Sequence, residues 1–149
     1  MLCPVTQRHE DIVMSFIQTS TFLRRVLVVD AVSCAGMGLL MLAFSGSLSG
    51  LLSLPAGLLS EAAKVLLPFA ALLAFLSTRS RLPPAAVWAV IVANAIWAID
   101  SIVLLFTGWV QPNLLGHLFV AGQAAFVAVI VELEYVGLRK SAAVAPTRA

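Results

Sequence analysis

The sequence predicts an all-α membrane protein, a bundle of four transmembrane helices with both termini in the cytoplasm. Composition and charge placement lead to this fold class. The chain has 149 residues, of which 61% are hydrophobic and only 11% are charged. An ordinary soluble domain contains about 45–50% apolar and about 25% charged residues. The charged residues also lie between the long apolar segments, which is typical of an integral membrane protein.

Four apolar segments supply the predicted spans. A helix that crosses the hydrocarbon core needs about 20 residues, within a range of about 17–25. The predicted spans are residues 26–44, 62–76, 85–106 and 114–136, within a membrane domain over residues 26–137. The second is short unless Lys64 extends its side chain toward the headgroups, and Pro68 is expected to kink it. Residues 1–25 and 138–149 are predicted to be cytoplasmic, the latter as a disordered tail.

Basic residues indicate the orientation. Eight of the nine lysines and arginines precede the first span, follow the fourth, or lie between the second and third. The positive-inside rule assigns that side to the cytoplasm. Trp88, Trp109 and Tyr135 lie near span ends, as aromatic belts predict. We therefore expect a multi-pass protein of the bacterial inner membrane.

The amino-terminal third allows other interpretations. The run from residue 24 to residue 45 resembles a cleaved signal peptide, although Asp30 interrupts it and three more spans follow. Met14 is an alternative start of the chain.

The loop over residues 45–61 is rich in Gly, Ser and Leu. It either lies along the outer membrane surface as a broken amphipathic turn or packs on the bundle.

Polar side chains within the spans are candidate functional residues, because a charged residue at the centre of a membrane helix costs roughly 2.5–3.5 kcal/mol. Asp100 lies roughly 9 Å below the outer boundary at 1.5 Å per residue. It shares one face of the third span with Asn94, Trp97 and Ser101. We expect this polar stripe to face the bundle interior and not the lipid.

The depth of Asp100 also predicts its neighbours. If the third and fourth spans form an antiparallel hairpin, Asp100 lies level with Gln123, and Phe106 lies level with His117. We therefore expect Asp100 to contact Gln123. Lys64, which enters from the outer end of the second span, is the cation placed to reach Asp100.

Three other carboxylates lie nearer the cytoplasmic ends of the spans. Asp30 and Glu132 are expected to form interfacial ion pairs with nearby arginines. The alternative for these two residues is a vestibule for a proton or a cation. Glu134 is expected to be interfacial.

Several chemistries have no support in the sequence. It contains no HExxH, no CxxC, no glycine-rich phosphate loop and no Ser/His/Asp set at a shared depth. Basic residues are not interleaved with aromatic ones as in a nucleic-acid groove. We expect no enzyme, metal, cofactor or nucleic-acid partner. The expected partners are the lipid bilayer and either a second copy of the chain or another membrane protein.

Several local runs resemble a group of small four-span bacterial integral membrane proteins. They are VWAVI at residues 87–91, Trp97 before Asp100, GW-x-x-P from residue 108, and LEYVGLRK at residues 133–140. This resemblance implies the four-span fold and no particular activity. A more distant similarity in size and span spacing is to DoxX-like proteins. Small multidrug exporters have a similar size, but this first span lacks the local motif that surrounds their essential glutamate.

Two classes of function fit these observations. The first is a non-enzymatic membrane protein with a structural, assembly or accessory role, which we prefer because no polar surface large enough for a substrate is evident. The second is a small proton-coupled transporter in which Asp100 exchanges the proton. Asn94, Ser101 and Gln123 would then line the path.

Overall fold

The computed structural model describes residues 16–143, with side chains through Ser141. Its helices are α1 (Thr21–Leu52), α2 (Ala56–Ser77), α3 (Pro84–Phe106) and α4 (Leu114–Lys140), and its short strands are β1 (Ile17–Gln18), β2 (Arg81–Leu82) and β3 (Ala142–Ala143). Each of the four helices is long and apolar enough to cross a membrane. The predicted all-α bundle of four helices is confirmed, and the chain is a multi-pass membrane protein.

The helices do not pack equally closely. α1 runs along both α2 and α4, and α4 runs along α3, whereas α2 and α3 approach each other less closely. The core contains fully buried Leu23, Leu27, Leu73 and Val87. Many large apolar side chains on the outer faces of the helices are exposed, as lipid contact requires. The bundle is therefore most open between α2 and α3.

One end of the bundle carries most of the basic residues and is called here the arginine-rich end. Here β1 pairs antiparallel with β2 on one side and with β3 on the other. Ser20 accepts a hydrogen bond from the Leu23 amide at 3.1 Å and so caps α1, while its own amide donates to Ser141 Oγ at 3.1 Å. A Cβ at Gly137 would lie 3.1 Å from Leu23, so α4 meets α1 closely here. Both ends of the described chain are therefore tied together on one side of the bundle.

The opposite end differs from the sequence prediction. α1 is bent at Phe44 (φ −122°, ψ 23°) and then continues as a helix through Leu52. α2 begins at Ala56. The predicted loop at residues 45–61 is therefore wrong. Most of that segment is helical, and its buried Leu52 and Leu54 pack in the core.

The helix bounds also extend the predicted spans. α1 and α2 each begin several residues before the predicted first and second spans, and α2 is continuous through Pro68. α4 continues to Lys140 and is followed by β3, so the predicted tail begins as ordered structure. The alternative start at Met14 lies outside the described residues.

Candidate functional site

Two buried carboxylates meet in the core near the arginine-rich end. Asp30 on α1 is 1% exposed, and Glu134 on α4 is fully buried. Asn94 on α3 lies between them and is 3% exposed. Its Nδ2 donates to Asp30 Oδ2 at 2.8 Å and to Glu134 Oε2 at 3.2 Å. The two hydrogens of one amide nitrogen therefore hold two acidic side chains from two other helices.

A cysteine completes the polar cluster, which consists of Asp30, Cys34, Asn94 and Glu134. Cys34 lies one turn after Asp30 on α1, and its Sγ donates to Asp30 Oδ1 at 3.5 Å. Both oxygens of Asp30 therefore have a partner. Glu134 Oε1 is buried, and it has no hydrogen-bond partner among the residues whose side chains are described. An unsatisfied buried oxygen is costly, which makes Glu134 the incomplete member of the cluster.

The buried faces of the helices explain why these residues meet. On α1 the buried positions include Leu23, Leu27, Asp30, Cys34, Gly38 and Met41. On α4 they include Gly116, Val120, Ala124, Ile130, Glu134 and Gly137. Apart from the six-residue step between Ala124 and Ile130, both series follow the three- and four-residue spacing of one helix face. The acids thus take positions that an apolar residue would normally occupy.

Basic side chains near this end bond to other groups. Arg24 Nε donates to the carbonyl of Ser77 at 3.0 Å, and Arg139 Nη1 donates to the hydroxyl of Tyr135 at 3.1 Å. Within residues 16–141 the salt bridge that forms is Lys64 with Glu61, at the opposite end of the bundle. The described part of the chain therefore gives the carboxylate pair, Asp30 and Glu134, an amide and a thiol but no cation.

Two cavities lie between the helices, one beside the polar cluster and one toward the opposite end. The inner cavity has a volume of about 130 Å³ and is bordered by all four helices, with Cys34 and Asn94 in its wall. The outer cavity has a volume of about 260 Å³ and includes Asp100 and Ser101 in its wall. Trp97 and Gln123 border both cavities. The rest of both walls is largely apolar, so the cavities suit a small molecule with an apolar body.

The structure corrects the predicted environment of Asp100. Asn94 and Ser101 are buried and Trp97 is half-buried, but Asp100 is exposed at the outer cavity. Gln123 Nε2 donates to Ser101 Oγ at 3.2 Å, and Asp100 has no hydrogen-bond partner among residues 16–141. The predicted level of Gln123 was right to within one residue. The predicted contact was wrong because Ser101, and not Asp100, points toward α4.

The predicted neighbours of Asp100 also lie elsewhere. Lys64 pairs with Glu61 at 2.7 Å, three residues before it on the same helix, and both side chains are exposed. His117 is exposed, and its Nδ1 lies 3.0 Å from the carbonyl oxygen of Asn113. Each interaction joins two residues only three or four positions apart in the chain. Neither residue joins the polar cluster.

The acids near the arginine-rich end are arranged differently from the prediction. Asp30 is buried beside Asn94 and not ion-paired at the interface, and Glu134 is buried and not interfacial. Glu132 is exposed, and no ion pair forms there in the described structure. The depth of each acid along its helix therefore predicted its burial poorly. The position of Glu134 one turn from Ile130 and Gly137 on the buried face was the available signal.

Comparisons with known proteins add no assignment to this site. No family model, no curated protein and no solved structure matches the chain. The functional argument therefore depends on the geometry of the cluster and its cavities.

Proposed function

We propose that this protein exchanges protons through the Asp30–Glu134 pair as part of a small proton-linked membrane carrier. The observation that carries the proposal is that both carboxylates accept from one amide nitrogen of Asn94. No basic side chain among the described residues forms a salt bridge with either of them. Two like charges so close in a low-dielectric interior repel strongly, and each is costly to bury. The pair is expected to hold one proton between its two members.

The incomplete hydrogen bonding of Glu134 supports exchange at this residue. A proton on Glu134 Oε1 could be donated to an entering water, because that oxygen has no partner among the described residues, whereas both oxygens of Asp30 already accept bonds. Buried ionisable residues in membrane helices generally mark ion or proton pathways, because their burial costs too much to keep by chance. Asp100 at the outer cavity is then an entry group and not the exchanging carboxylate.

The cavities suggest what the proton movement accompanies. The inner cavity has Cys34 and Asn94 of the polar cluster in its wall, and the outer cavity shares Trp97 and Gln123 with it. A solute in the inner cavity would meet mostly apolar walls and the side chain of Asn94. We infer that the carried solute is small, with a largely apolar body and one polar group.

We place the protein in a bacterial inner membrane with the arginine-rich end in the cytoplasm. The positive-inside rule supports this orientation, because eight of the nine basic residues lie on that side. Trp88 and Tyr135 both lie at the arginine-rich end, and their ring centroids are 6.0 Å apart. Tryptophan and tyrosine are enriched at the level of the headgroups at both membrane surfaces. The carboxylate pair then lies toward the cytoplasmic side and the outer cavity toward the other.

The test compares two glutamate-to-glutamine substitutions on α4. Glu134→Gln keeps an acceptor for Asn94 but removes the exchangeable proton, whereas Glu132→Gln changes an exposed residue two positions away. In lipid vesicles with a trapped pH dye, an imposed pH gradient and a potassium ionophore, the wild type and Glu132→Gln should move protons faster than empty vesicles. Glu134→Gln should move them at the rate of empty vesicles. Equal proton flux in Glu134→Gln and the wild type would rule the proposal out.

A structural role is the second candidate, and the same cluster favours it in one respect. Asn94, Asp30 and Glu134 join α3 to both α1 and α4, so the cluster could simply fix these three helices. In that case Glu134→Gln, which still accepts from Asn94, leaves the fold unchanged and no variant alters proton flux. Infrared spectra in lipid separate the two roles, because only exchange predicts a protonated-carboxyl band that responds to pH and changes in Glu134→Gln.

A further inference from the structure

The arginine-rich end carries positive charge from three separate segments of the chain. The six basic residues are all exposed: Arg24, Arg25, Arg79, Arg81, Arg139 and Lys140. Pairing of β1 with β2 and β3 brings their segments to the same end. None of the six forms a salt bridge within residues 16–141. Their positive charge is left for a partner outside the described chain.

Two of these arginines are held where the beginning of α1 meets the end of α2. Arg24 Nε donates to the carbonyl of Ser77 at 3.0 Å. The guanidinium of Arg79 lies 4.2 Å from the centroid of the Phe75 ring. Thr19, just before α1, holds the Arg79 segment through its hydroxyl, which donates to the Arg79 carbonyl at 2.8 Å.

This arrangement orders both guanidinium groups but leaves their donors available. The Arg24 bond uses only Nε, and stacking on Phe75 uses the face of the Arg79 guanidinium and none of its N–H groups. The terminal nitrogens of both side chains have no acceptor among the described residues. Planar, pre-ordered guanidinium groups suit the bidentate recognition of phosphate oxygens.

Exposed apolar side chains lie next to the two arginines in the sequence of α1 and α2. Leu72 and Phe75 lie seven and four residues before Arg79, on the same face of α2, and are 48% and 52% exposed. Val28 lies one turn after Arg24 on α1 and is 46% exposed. A phosphate bound by the arginines would therefore have an apolar strip next to it on the membrane side.

We propose that Arg24 and Arg79 bind the phosphate of an anionic phospholipid whose acyl chain lies against Val28, Leu72 and Phe75. The phosphate chemistry alone would also suit a free phosphate ion. The exposed apolar side chains that follow Arg24 on α1 and precede Arg79 on α2 favour a lipid, because a soluble ion makes no use of them. The uncompensated basic residues at this end favour a lipid of net negative charge over a zwitterionic one.

The experiment counts phospholipids retained by the full chain. Protein purified in detergent is mixed with equal amounts of phosphatidylglycerol and phosphatidylcholine, and native mass spectrometry measures the bound lipids. The wild type should retain phosphatidylglycerol preferentially. The pair Arg24→Gln with Arg79→Gln should bind it about tenfold or more weakly, because each charge-assisted hydrogen bond contributes about 1.5–3 kcal/mol.

The matched control also removes two positive charges from the arginine-rich end, but at other residues. The pair Arg139→Gln with Lys140→Gln should retain phosphatidylglycerol nearly as the wild type does. Equal losses in both pairs would show diffuse attraction to the whole end and overturn the site. Displacement of the lipid by millimolar inorganic phosphate would overturn the choice of a lipid.

A conservative variant covers the possibility that the glutamine pair does not fold. Arg24→Lys with Arg79→Lys keeps the charge but loses the planar guanidinium groups, so it should still lose most of the phosphatidylglycerol preference. Retention equal to the wild type in this lysine pair would overturn the arginine-specific site. Proton flux is not used in this test, so its outcome is independent of the carboxylate pair.

Discussion

Asn94 is the residue on which the polar interior depends. Its amide nitrogen donates to both carboxylates, so one side chain offsets part of the cost of burying two acids. Asn94 also lies in the wall of the inner cavity, where a cavity occupant would meet it together with Cys34. A change at Asn94 therefore affects the stability of the bundle and the carboxylate pair together.

Replacing Asn94 tests this dependence. Asn94→Leu leaves Asp30 and Glu134 without their common donor, and each acceptor left buried and unsatisfied costs about 1–3 kcal/mol. We expect a large fall in the free energy of unfolding, measured by ellipticity in mixed micelles. Gln123→Leu is the control and should cost only about 0.5–1.5 kcal/mol, because the Ser101 hydroxyl still donates to the Trp97 carbonyl. Similar losses in the two variants would contradict the proposed importance of Asn94.

The sequence was a partial guide to this site. The face of α3 that carries Asn94 and Ser101 was predicted to point inward, and both residues are buried. Asp100 was misplaced because one helical step, about 100°, separates it from Ser101 at the edge of that face. Asp30 and Glu134 were misread because closeness to a helix end was taken to mean exposure. The mutual contact of the three polar residues depends on helix packing, which no single segment encodes.

At the scale of elements, α1 and α4 form a close junction at the end opposite the arginine-rich end. Asn113 caps α4 by accepting from the Gly116 amide at 2.8 Å. Its side-chain nitrogen donates to the Leu51 carbonyl at 2.8 Å, and its backbone amide donates to the Leu52 carbonyl at 3.2 Å. The last carbonyls of α1 thus find partners at the beginning of α4, which stabilises an otherwise poor helix end.

This junction requires a glycine at position 116. A Cβ there would overlap the Leu52 carbonyl oxygen, which is backbone and cannot rotate away. We expect Gly116→Ala to lower the free energy of unfolding by about 1–3 kcal/mol through overpacking. Gly122→Ala on the same helix meets nothing within 4 Å and should be neutral or stabilising by up to about 1 kcal/mol. The free energy of unfolding of both variants, measured in mixed micelles, checks this prediction. Equal changes in the two variants would show that the close contact between Gly116 and Leu52 does not require glycine.

The same junction explains which parts of the helices were predictable. Apolar runs locate the four helices well because burial in lipid needs only length and composition. The Gly- and Ser-rich residues 45–52 have low helix propensity and were read as a loop. Their helical state depends on the burial of Leu52 and on Asn113, sixty residues away in the chain. Tertiary contacts override local propensity there.

At the scale of the whole molecule, the two ends of the bundle differ in a way that fits vectorial function. The arginine-rich end is closed by the three-stranded pairing of β1, β2 and β3 and by the Ser20–Ser141 contact. The opposite half contains the outer cavity, and the α2–α3 side is loosely packed. The carboxylate pair lies near the closed end. Access to it from the closed end would need those ties to open, whereas the cavities approach it from the other side.

The orientation of this asymmetric bundle can be tested with single cysteines. In a background where Cys3 and Cys34 are serine, Gly57→Cys and Ser80→Cys place exposed thiols at opposite ends, and a Cβ at position 57 meets no neighbour within 4 Å. The positive-inside rule predicts that an impermeant maleimide labels Gly57→Cys in intact bacterial cells, and Ser80→Cys only after permeabilisation. The reverse pattern would place the arginine-rich end outside. The closed end and the carboxylate pair would then face the exterior, and the proton path would have to open toward the cytoplasm.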